Sequence, residues 1–212
     1  FRNEYLSPRS PYTTLQIPKQ GIGEWCHPLH TVDINDAGLR SSVQNGILNT
    51  ELGIPFRTPA EGHNVAFTSL WDNYPDSLEI PLKGKASRAY LLMAGSTNHM
   101  QCHIDNGVIR IYYKDGTRDV MFLRNPDNWP PIEHIFFEDG LAFNRHTPAL
   151  YRLRLKTGEI SNNFGEELGF PGASRELDGG AAVLLEMPLN PGKKLSHLVL
   201  ETLSNDVVIG LM

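Results

Sequence analysis

The residues best suited to contact a ligand lie in two polar segments. The first, residues 98–105 (NHMQCHID), contains two imidazoles and a carboxylate. If this segment is extended, every second side chain points the same way, so His99, His103 and Asp105 share one side. Such a set could bind zinc or non-haem iron, but the spacing matches neither HxH nor HExxH. We therefore predict a polar loop that contacts a ligand through Asn98, His99 and His103, with no metal site.

The second polar segment, residues 124–131 (RNPDNWPP), places a tryptophan among amides and a carboxylate. The C–H face of a sugar stacks on an indole, and the sugar hydroxyls need planar polar partners. Four residues of this segment are predicted ligand contacts: Trp129, Asn125, Asp127 and Asn128. Trp71 directly follows an apolar run and is expected in the core, whereas Trp25 is expected to be a packing anchor.

Calcium is the alternative for a bound ion, because it takes carboxylate and carbonyl oxygens from loops. Residues 33–36 (DIND) and 72–76 (DNYPD) offer such oxygens, but neither segment has the EF-hand spacing. Asx turns at strand ends would use the same residues. We therefore predict no cofactor, with a structural calcium ion as the alternative.

Hydrolysis is an alternative function for a third group of residues. Glu133 and Asp139 flank His134, and glycosidases use two carboxyl groups separated by about 5 to 9.5 Å. The sequence contains no GxSxG nucleophile elbow and no phosphate-binding glycine loop. We therefore predict no catalytic residue, and a glycoside hydrolase that uses these loop carboxylates remains an alternative.

A predicted β-hairpin over residues 107–123 positions the two polar segments. Its Asp115-Gly116 pair lies between β-branched and aromatic runs, which favours a two-residue turn with positive φ at both central positions. That turn pairs Ile111 with Val120 and Ile109 with Phe122. The predicted core face consists of Tyr113, Ile111, Ile109, Val120 and Phe122. The opposite face, with Arg110, Tyr112, Asp119 and Met121, is predicted to face solvent or a shallow groove.

Period-two alternation predicts further short strands along the chain. They cover residues 29–35, 53–56, 65–70, 77–82, 86–94, 150–155, 181–187, 195–203 and 207–212. Residues 86–94 carry apolar side chains at both odd and even positions, as in a central strand covered on both faces. Pro81 suits an edge strand. There is no convincing amphipathic helix and no internal repeat, so the chain is predicted to be an all-β sandwich.

Composition limits the domain organisation and the partners. Residues 1–28 contain Pro8, Pro11, Pro18 and Pro28 and are predicted to form an extended arm or linker, followed by one β-sandwich domain over residues 29–212. The net charge of -5 without a basic run disfavours nucleic acid as a partner. No apolar run is long enough to cross a bilayer, so no membrane insertion is expected. Cys26 and Cys102 are interpreted as buried thiols, with a single bridge as the alternative.

Several short motifs resemble one domain family. They are residues 53–56 (GIPF), 71–76 (WDNYPD), 80–86 (IPLKGKA), 90–96 (YLLMAGS), 113–117 (YKDGT) and 123–129 (LRNPDNW). Together they resemble the galactose-binding-like jelly rolls attached to bacterial polysaccharide-degrading enzymes. The hairpin and the loop after it look like the C-terminal β domain of an uncharacterised family grouped with glycoside hydrolases. The similarity runs from about Gly21 to the end.

The resemblance implies a galactose-binding-like jelly-roll β-sandwich, mostly antiparallel, with an extended N-terminal arm. It also implies a non-catalytic, carbohydrate-associated accessory domain with a glycan ligand and a neighbouring domain of the same parent protein as partners. A purely structural module that docks onto a catalytic partner is the alternative. The sequence opens without Met and stops within an apolar run, so we expect a piece of a longer protein. The resemblance implies a periplasmic or extracellular location.

Overall fold

A computed structural model describes residues 7–15, 34–70, 73–97, 101–133, 145–163 and 177–212. Described strands, in chain order, are β1 Tyr12–Thr13, β2 Val43–Gln44, β3 Ile47–Asn49, β4 Pro55–Arg57, β5 Val65–Ser69, β6 Ser77–Pro81, β7 Arg88–Thr97, β8 Gly107–Tyr113, β9 Arg118–Leu123, β10 Arg152–Arg154, β11 Ile160–Ser161, β12 Ala181–Pro188, β13 Leu195–Thr202 and β14 Val207–Leu211. A short helix, α1, covers Ala37–Ser42. This helix was not predicted, because the sequence shows no convincing amphipathic helix.

The strands form an all-β sandwich, which confirms the predicted fold class. A seven-stranded sheet has the order β1-β5-β14-β7-β12-β10-β11, and a four-stranded sheet has the order β6-β13-β8-β9. A small third sheet has the order β2-β3-β4. Neighbouring strands in all three sheets are antiparallel. The edge position of β6, which ends at Pro81, agrees with the prediction for that segment.

The seven-stranded sheet is covered on both faces. Met93 of β7 belongs to the core between the two large sheets, together with Ile109 and Leu198 of the four-stranded sheet. Leu92 and Ala94 belong to a second core on the opposite face, which also contains side chains of α1 and of the small sheet. Because neighbouring side chains of a strand point to opposite faces, this arrangement explains the apolar residues at both parities of residues 86–94.

The register of the β8–β9 hairpin differs from the prediction by one residue. Ile111 pairs with Asp119, and Ile109 pairs with Met121. Gly116 has a φ of +83°, whereas Asp115 is not among the residues with positive φ, so the turn is not the expected two-residue type. Gly116 N donates to Tyr113 O, and Tyr113 N donates to Thr117 O, which makes a three-residue loop of a type I turn and a bulged glycine.

This slip moves two predicted core residues to the surface. Val120 and Phe122 are each 43% exposed, so their assignment to the core face was wrong. Met121 packs against the core instead, and Leu123 is fully buried. A register shift of one residue exchanges the two faces of a strand. The prediction of a two-residue turn in place of the three-residue loop therefore exchanged the buried and exposed residues of β9.

A two-residue turn of the expected kind occurs between β2 and β3. Asn45 has a φ of 52° and Gly46 a φ of 75°, and Gln44 pairs with Ile47. Positive φ at both positions is the type I′ geometry. The Asn-Gly pair thus folds in the way that was predicted for Asp-Gly.

The described part of the N-terminal arm lies against the domain itself. Tyr12 pairs with Ala66 and Thr13 with Val65. Leu15 is buried in the second core, and its backbone N donates to Asn64 Oδ1 at 3.1 Å. The residues on both sides of this segment lie outside the described ranges. No helix in the described ranges has the length and hydropathy needed to cross a membrane.

Candidate functional site

Trp129 is a core residue and not a surface platform. Its side chain is 0% exposed and belongs to the core between the two large sheets. Gly95 of β7 leaves the space it occupies, since a Cβ at that position would lie 2.9 Å from Trp129 Cζ2. An indole buried on both faces offers no surface for sugar stacking. The predicted stacking contact at Trp129 was therefore wrong.

Buried hydrogen bonds hold the segment after Trp129 against β7 and β12. Ile132 N donates to Gly95 O, and Ala181 N donates to Ile132 O, both at 2.8 Å. The buried guanidinium of Arg152 donates from Nη2 to Pro131 O at 2.8 Å and to Ala181 O at 2.9 Å. These contacts hold residues 131–132 against the large sheet, next to the position where the Trp129 side chain enters the core.

Asn125 is also buried, with 0% of its surface exposed. Its backbone N donates to Asn106 Oδ1 at 3.1 Å, and its Nδ2 lies 3.6 Å from Cys102 Sγ. The side chain thus braces the loop against residues 102–106 from the inside. Its burial excludes the predicted direct contact with a surface ligand.

The side-chain amide of Asn128 forms hydrogen bonds with the backbone of Phe122, in β9, and of Arg124, which follows β9. Nδ2 donates to Phe122 O, and Oδ1 accepts from Arg124 N, both at 2.8 Å. Arg124 in turn forms a salt bridge with Asp105, and these charged hydrogen bonds raise the pKa of Arg124 further above its usual value. A structural role therefore accounts for the amide of Asn128.

His103 and Asp127 come together with a residue that the sequence analysis did not select, His146. His103 Nδ1 lies 3.6 Å from Asp127 Oδ2, and His146 Nδ1 lies 3.6 Å from Asp127 Oδ1. The two imidazole rings stack with centroids 4.4 Å apart and an interplanar angle of 29°. His103 and Asp127 are the described residues of the predicted site that remain available for chemistry. Together with His146 we call them the His-Asp-His cluster.

Backbone hydrogen bonds bring the three loops of the cluster together. His103 N donates to Asn125 O at 2.7 Å, and His103 adopts a φ of 56°, a conformation that costs a non-glycine residue about 1–3 kcal/mol. His146 N donates to Asp127 Oδ1 at 2.7 Å, and the Thr147 hydroxyl donates to Asp127 O. Asn125 therefore joins the loop after β9 to the loop of His103, and Asp127 joins it to the loop of His146.

Distance along the chain explains why His146 was missed. Residues 134–144, between Asp127 and His146, lie outside the described ranges, and no fixed motif spacing connects the two positions. Asp127 was selected as a sugar contact and His103 as a loop histidine, so the sequence identified two members without their common function. A histidine next to a second polar turn, residues 145–147, was the available signal.

Several predicted site residues lie outside the described residues. They are Asn98 and His99 of the first polar segment, Asp72 of the second predicted calcium loop and Asp139 of the carboxylate pair. Trp71, which was expected in the core, also lies outside them. Cys26 and Trp25 of the arm also lie outside them.

Glu133 is a buried carboxyl group at the end of the loop that contains Trp129. Its Oε1 accepts a hydrogen bond from the Ser96 hydroxyl. Burial raises the pKa of Glu133, although the Ser96 hydrogen bond and the charge of Arg152 oppose this shift. Burial also lowers the pKa of Arg152 to about 10. The raised pKa suits a proton donor, and the nearby charge of the buried Arg152 suits a structural pairing with this carboxylate.

The side chains of Asn35 and Asp36 in the first predicted calcium loop have structural partners, and a backbone hydrogen bond holds the second loop. Asn35 Oδ1 accepts from Ala37 N at 3.0 Å, which is an Asx turn at the start of α1. Asp36 Oδ2 accepts from Arg40 Nε at 2.9 Å and from Asn64 Nδ2 at 2.7 Å. In the second loop, Ser69 N donates to the backbone oxygen of Pro75. These bonds favour turn formation over calcium binding in the described residues.

The outer face of the four-stranded sheet combines aromatic, apolar and charged side chains. Phe122 and Val120 lie on the edge strand β9, and the guanidinium of Arg124 lies 5.9 Å from the Phe122 ring centroid. The Tyr112 ring stacks on His197 at 4.6 Å, with Arg118 5.8 Å from its centroid. Arg110 pairs with Glu201 across β8 and β13. We call this surface the outer face.

Comparisons of this chain with protein-family models, with curated proteins and with solved structures gave no match. The resemblance to galactose-binding-like jelly rolls therefore remains an expectation from the quoted motifs. What the structure establishes is an all-β sandwich with antiparallel sheets.

Proposed function

We propose that this chain is a non-catalytic, carbohydrate-associated accessory domain that contacts a glycan through its outer face. The observation that carries this proposal is the exposed aromatic ring of Phe122 beside the apolar side chain of Val120, on a sheet edge lined by guanidinium groups. Sugar rings present an apolar C–H face and a rim of hydroxyls. The Phe122 ring suits the apolar face of the sugar. The guanidinium groups of Arg118 and Arg124 suit its hydroxyls, as planar hydrogen-bond donors.

The glycan contact thereby moves from the predicted loop to the hairpin strands. Trp129, Asn125 and Asn128 serve in this proposal as internal supports that hold the β9 exit in place. Tyr112 is not the stacking residue, because the His197 ring already stacks on it with centroids 4.6 Å apart. Phe122 remains as the aromatic contact on this surface.

The accessory role assigns the chemical step to a neighbouring domain of a longer exported protein. Support comes from Glu133, whose Oε1 accepts a hydrogen bond from the Ser96 hydroxyl and whose Oε2 is buried. A general acid for glycoside hydrolysis must reach the glycosidic oxygen from an accessible cleft.

Isothermal titration against a panel of soluble glycans tests this proposal. We expect heat of binding for wild type with at least one glycan, and loss of that heat in Phe122→Ala. Tyr151→Ala is the matched control, since Tyr151 is a similarly exposed aromatic residue next to β10 of the other sheet. Equal binding by Phe122→Ala would overturn the outer-face site. Absence of heat with every glycan would remove glycan binding and favour the structural module.

A further inference from the structure

The His-Asp-His cluster has a geometry that an ordinary set of hydrogen bonds does not explain. The contacts of both imidazoles with Asp127 are 3.6 Å long, which exceeds the usual length of an N–H···O hydrogen bond. Both ring nitrogens of His103 are buried and have no hydrogen-bond partner among the described residues. Burial of an unpaired polar group is unfavourable, so these two nitrogens call for a missing partner.

From this arrangement we infer a binding site for a divalent transition-metal ion, of which Zn²⁺ is the type, with His103, Asp127 and His146 as ligands. One ligand atom from each residue lies within 4.8 Å of the other two. Zinc binds imidazole nitrogen and carboxylate oxygen at about 2.0–2.2 Å, so neighbouring ligand atoms of a tetrahedral ion lie about 3.3–3.6 Å apart. The 3.6 Å between His103 Nδ1 and Asp127 Oδ2 fits that spacing, and His146 Nδ1 lies 3.6 Å from the other oxygen of the same carboxylate, Oδ1.

The ligand types decide which class of ion this site takes. Imidazole suits zinc, copper, nickel and iron, whereas calcium and magnesium prefer a shell made of oxygen atoms alone. Two of the three ligands here are imidazoles. The site therefore discriminates against calcium, the ion that the loop sequences had suggested as the alternative.

A metal ion at this position would join three separate loops. His103 lies between β7 and β8, Asp127 follows β9, and His146 precedes β10. Hydrogen bonds already connect Asp127 to residues 146 and 147, and the ion would complete the connection to His103. The site is independent of the proposed glycan contact, because none of its three ligands belongs to the outer face.

Titration of the metal-stripped full chain with Zn²⁺ alone tests this inference by calorimetry, with Co²⁺ absorption as a second readout. We expect one ion per chain, a higher melting temperature with the ion, and visible Co²⁺ bands with the intensity of a tetrahedral site. His146→Ala and Asp127→Asn should each weaken binding by at least about 100-fold. His146 is 67% exposed, so its replacement should leave the fold intact.

His197→Ala is the matched control. The side chains of His197 and His103 are both 27% exposed, and His197 Nδ1 lies 3.9 Å from the carboxylate of Glu79. Among the described residues, no second imidazole completes a triad there. Unchanged zinc affinity in His197→Ala, together with loss in His146→Ala, would establish the site. Wild-type affinity in His146→Ala, or no binding of Zn²⁺ or Co²⁺ by wild type, would overturn it.

Discussion

Trp129 and Phe122 belong to the same stretch of chain but have opposite environments. The tryptophan, set in a loop of prolines and polar residues, is completely buried, whereas the phenylalanine, set in a regular strand, is 43% exposed. Local composition predicted an exposed Trp129 and a buried Phe122. Burial in this region is decided by the turn that sets the strand register and by the space that a distant glycine leaves, not by the character of the immediate neighbours.

The largest effect is expected from truncation of the buried indole. Trp129→Ala should lower the free energy of unfolding by about 3–5 kcal/mol, because it leaves a large cavity between the two sheets. Phe122→Ala is the matched control and should cost less than about 1 kcal/mol, because much of that ring is already in water. Urea denaturation with unchanged m-values would measure both. Equal losses in the two variants would contradict the assigned environments.

A smaller effect is expected at the turn that sets the hairpin register. Gly116→Ala should destabilise the protein by about 1–2 kcal/mol, because Gly116 has a φ of +83° and L-residues with a side chain disfavour that region. An added Cβ would meet nothing within 4 Å, so the loss would come from the backbone alone. Gly192→Ala is the control at an exposed turn glycine without positive φ, where the added Cβ would lie 3.2 Å from the Asn190 side-chain oxygen. It should cost less than Gly116→Ala in the same denaturation experiment. Neutral behaviour of Gly116→Ala would argue against the three-residue loop.

The smallest effect concerns the charge of Asp115 in the same loop. Hydrogen bonds from the Thr117 side chain and backbone, with a further one from Lys193, lower the pKa of Asp115 from 3.8 to about 2. Since the folded-state pKa is depressed, the stabilisation is present above pH 3.8 and is lost as the pH falls through about 2. Carboxyl NMR titration should show this midpoint.

Thr117→Val should move the midpoint of Asp115 back towards 3.8, because it removes the larger of the side-chain hydrogen bonds. Lys193→Met should produce a smaller rise. An unshifted Asp115 in wild type would mean that the loop does not hold the carboxylate as described.

The sequence predicted those features that depend on patterns within a strand. Residues 86–94 were identified as a central strand, and β7 lies between β14 and β12 in the large sheet. The edge strand at Pro81 was identified for a reason that holds in the structure, since proline lacks the N–H that an inner strand needs. The turn at Asp115-Gly116 was also found, but two residues of sequence do not distinguish a two-residue loop from a three-residue loop.

The candidate site was less predictable, because its parts meet only in three dimensions. His103 and Asp127 were selected for separate reasons, and His146 enters through a loop after residues that no local pattern connects to them. Trp129 turned inward because Gly95, on another strand, has no side chain. Such long-range complementarity leaves no periodic signal in one sequence.

The amide of Asn128 has a consequence for association between molecules. Phe122 O and Arg124 N, which this side chain occupies, are a pair of backbone groups that an incoming strand would use to extend the sheet. An exposed edge strand with apolar side chains invites such strand addition and the aggregation that follows. By mimicking a peptide unit at the end of β9, Asn128 closes part of that template, so the apolar residues of the edge can stay exposed without recruiting a second chain through the backbone.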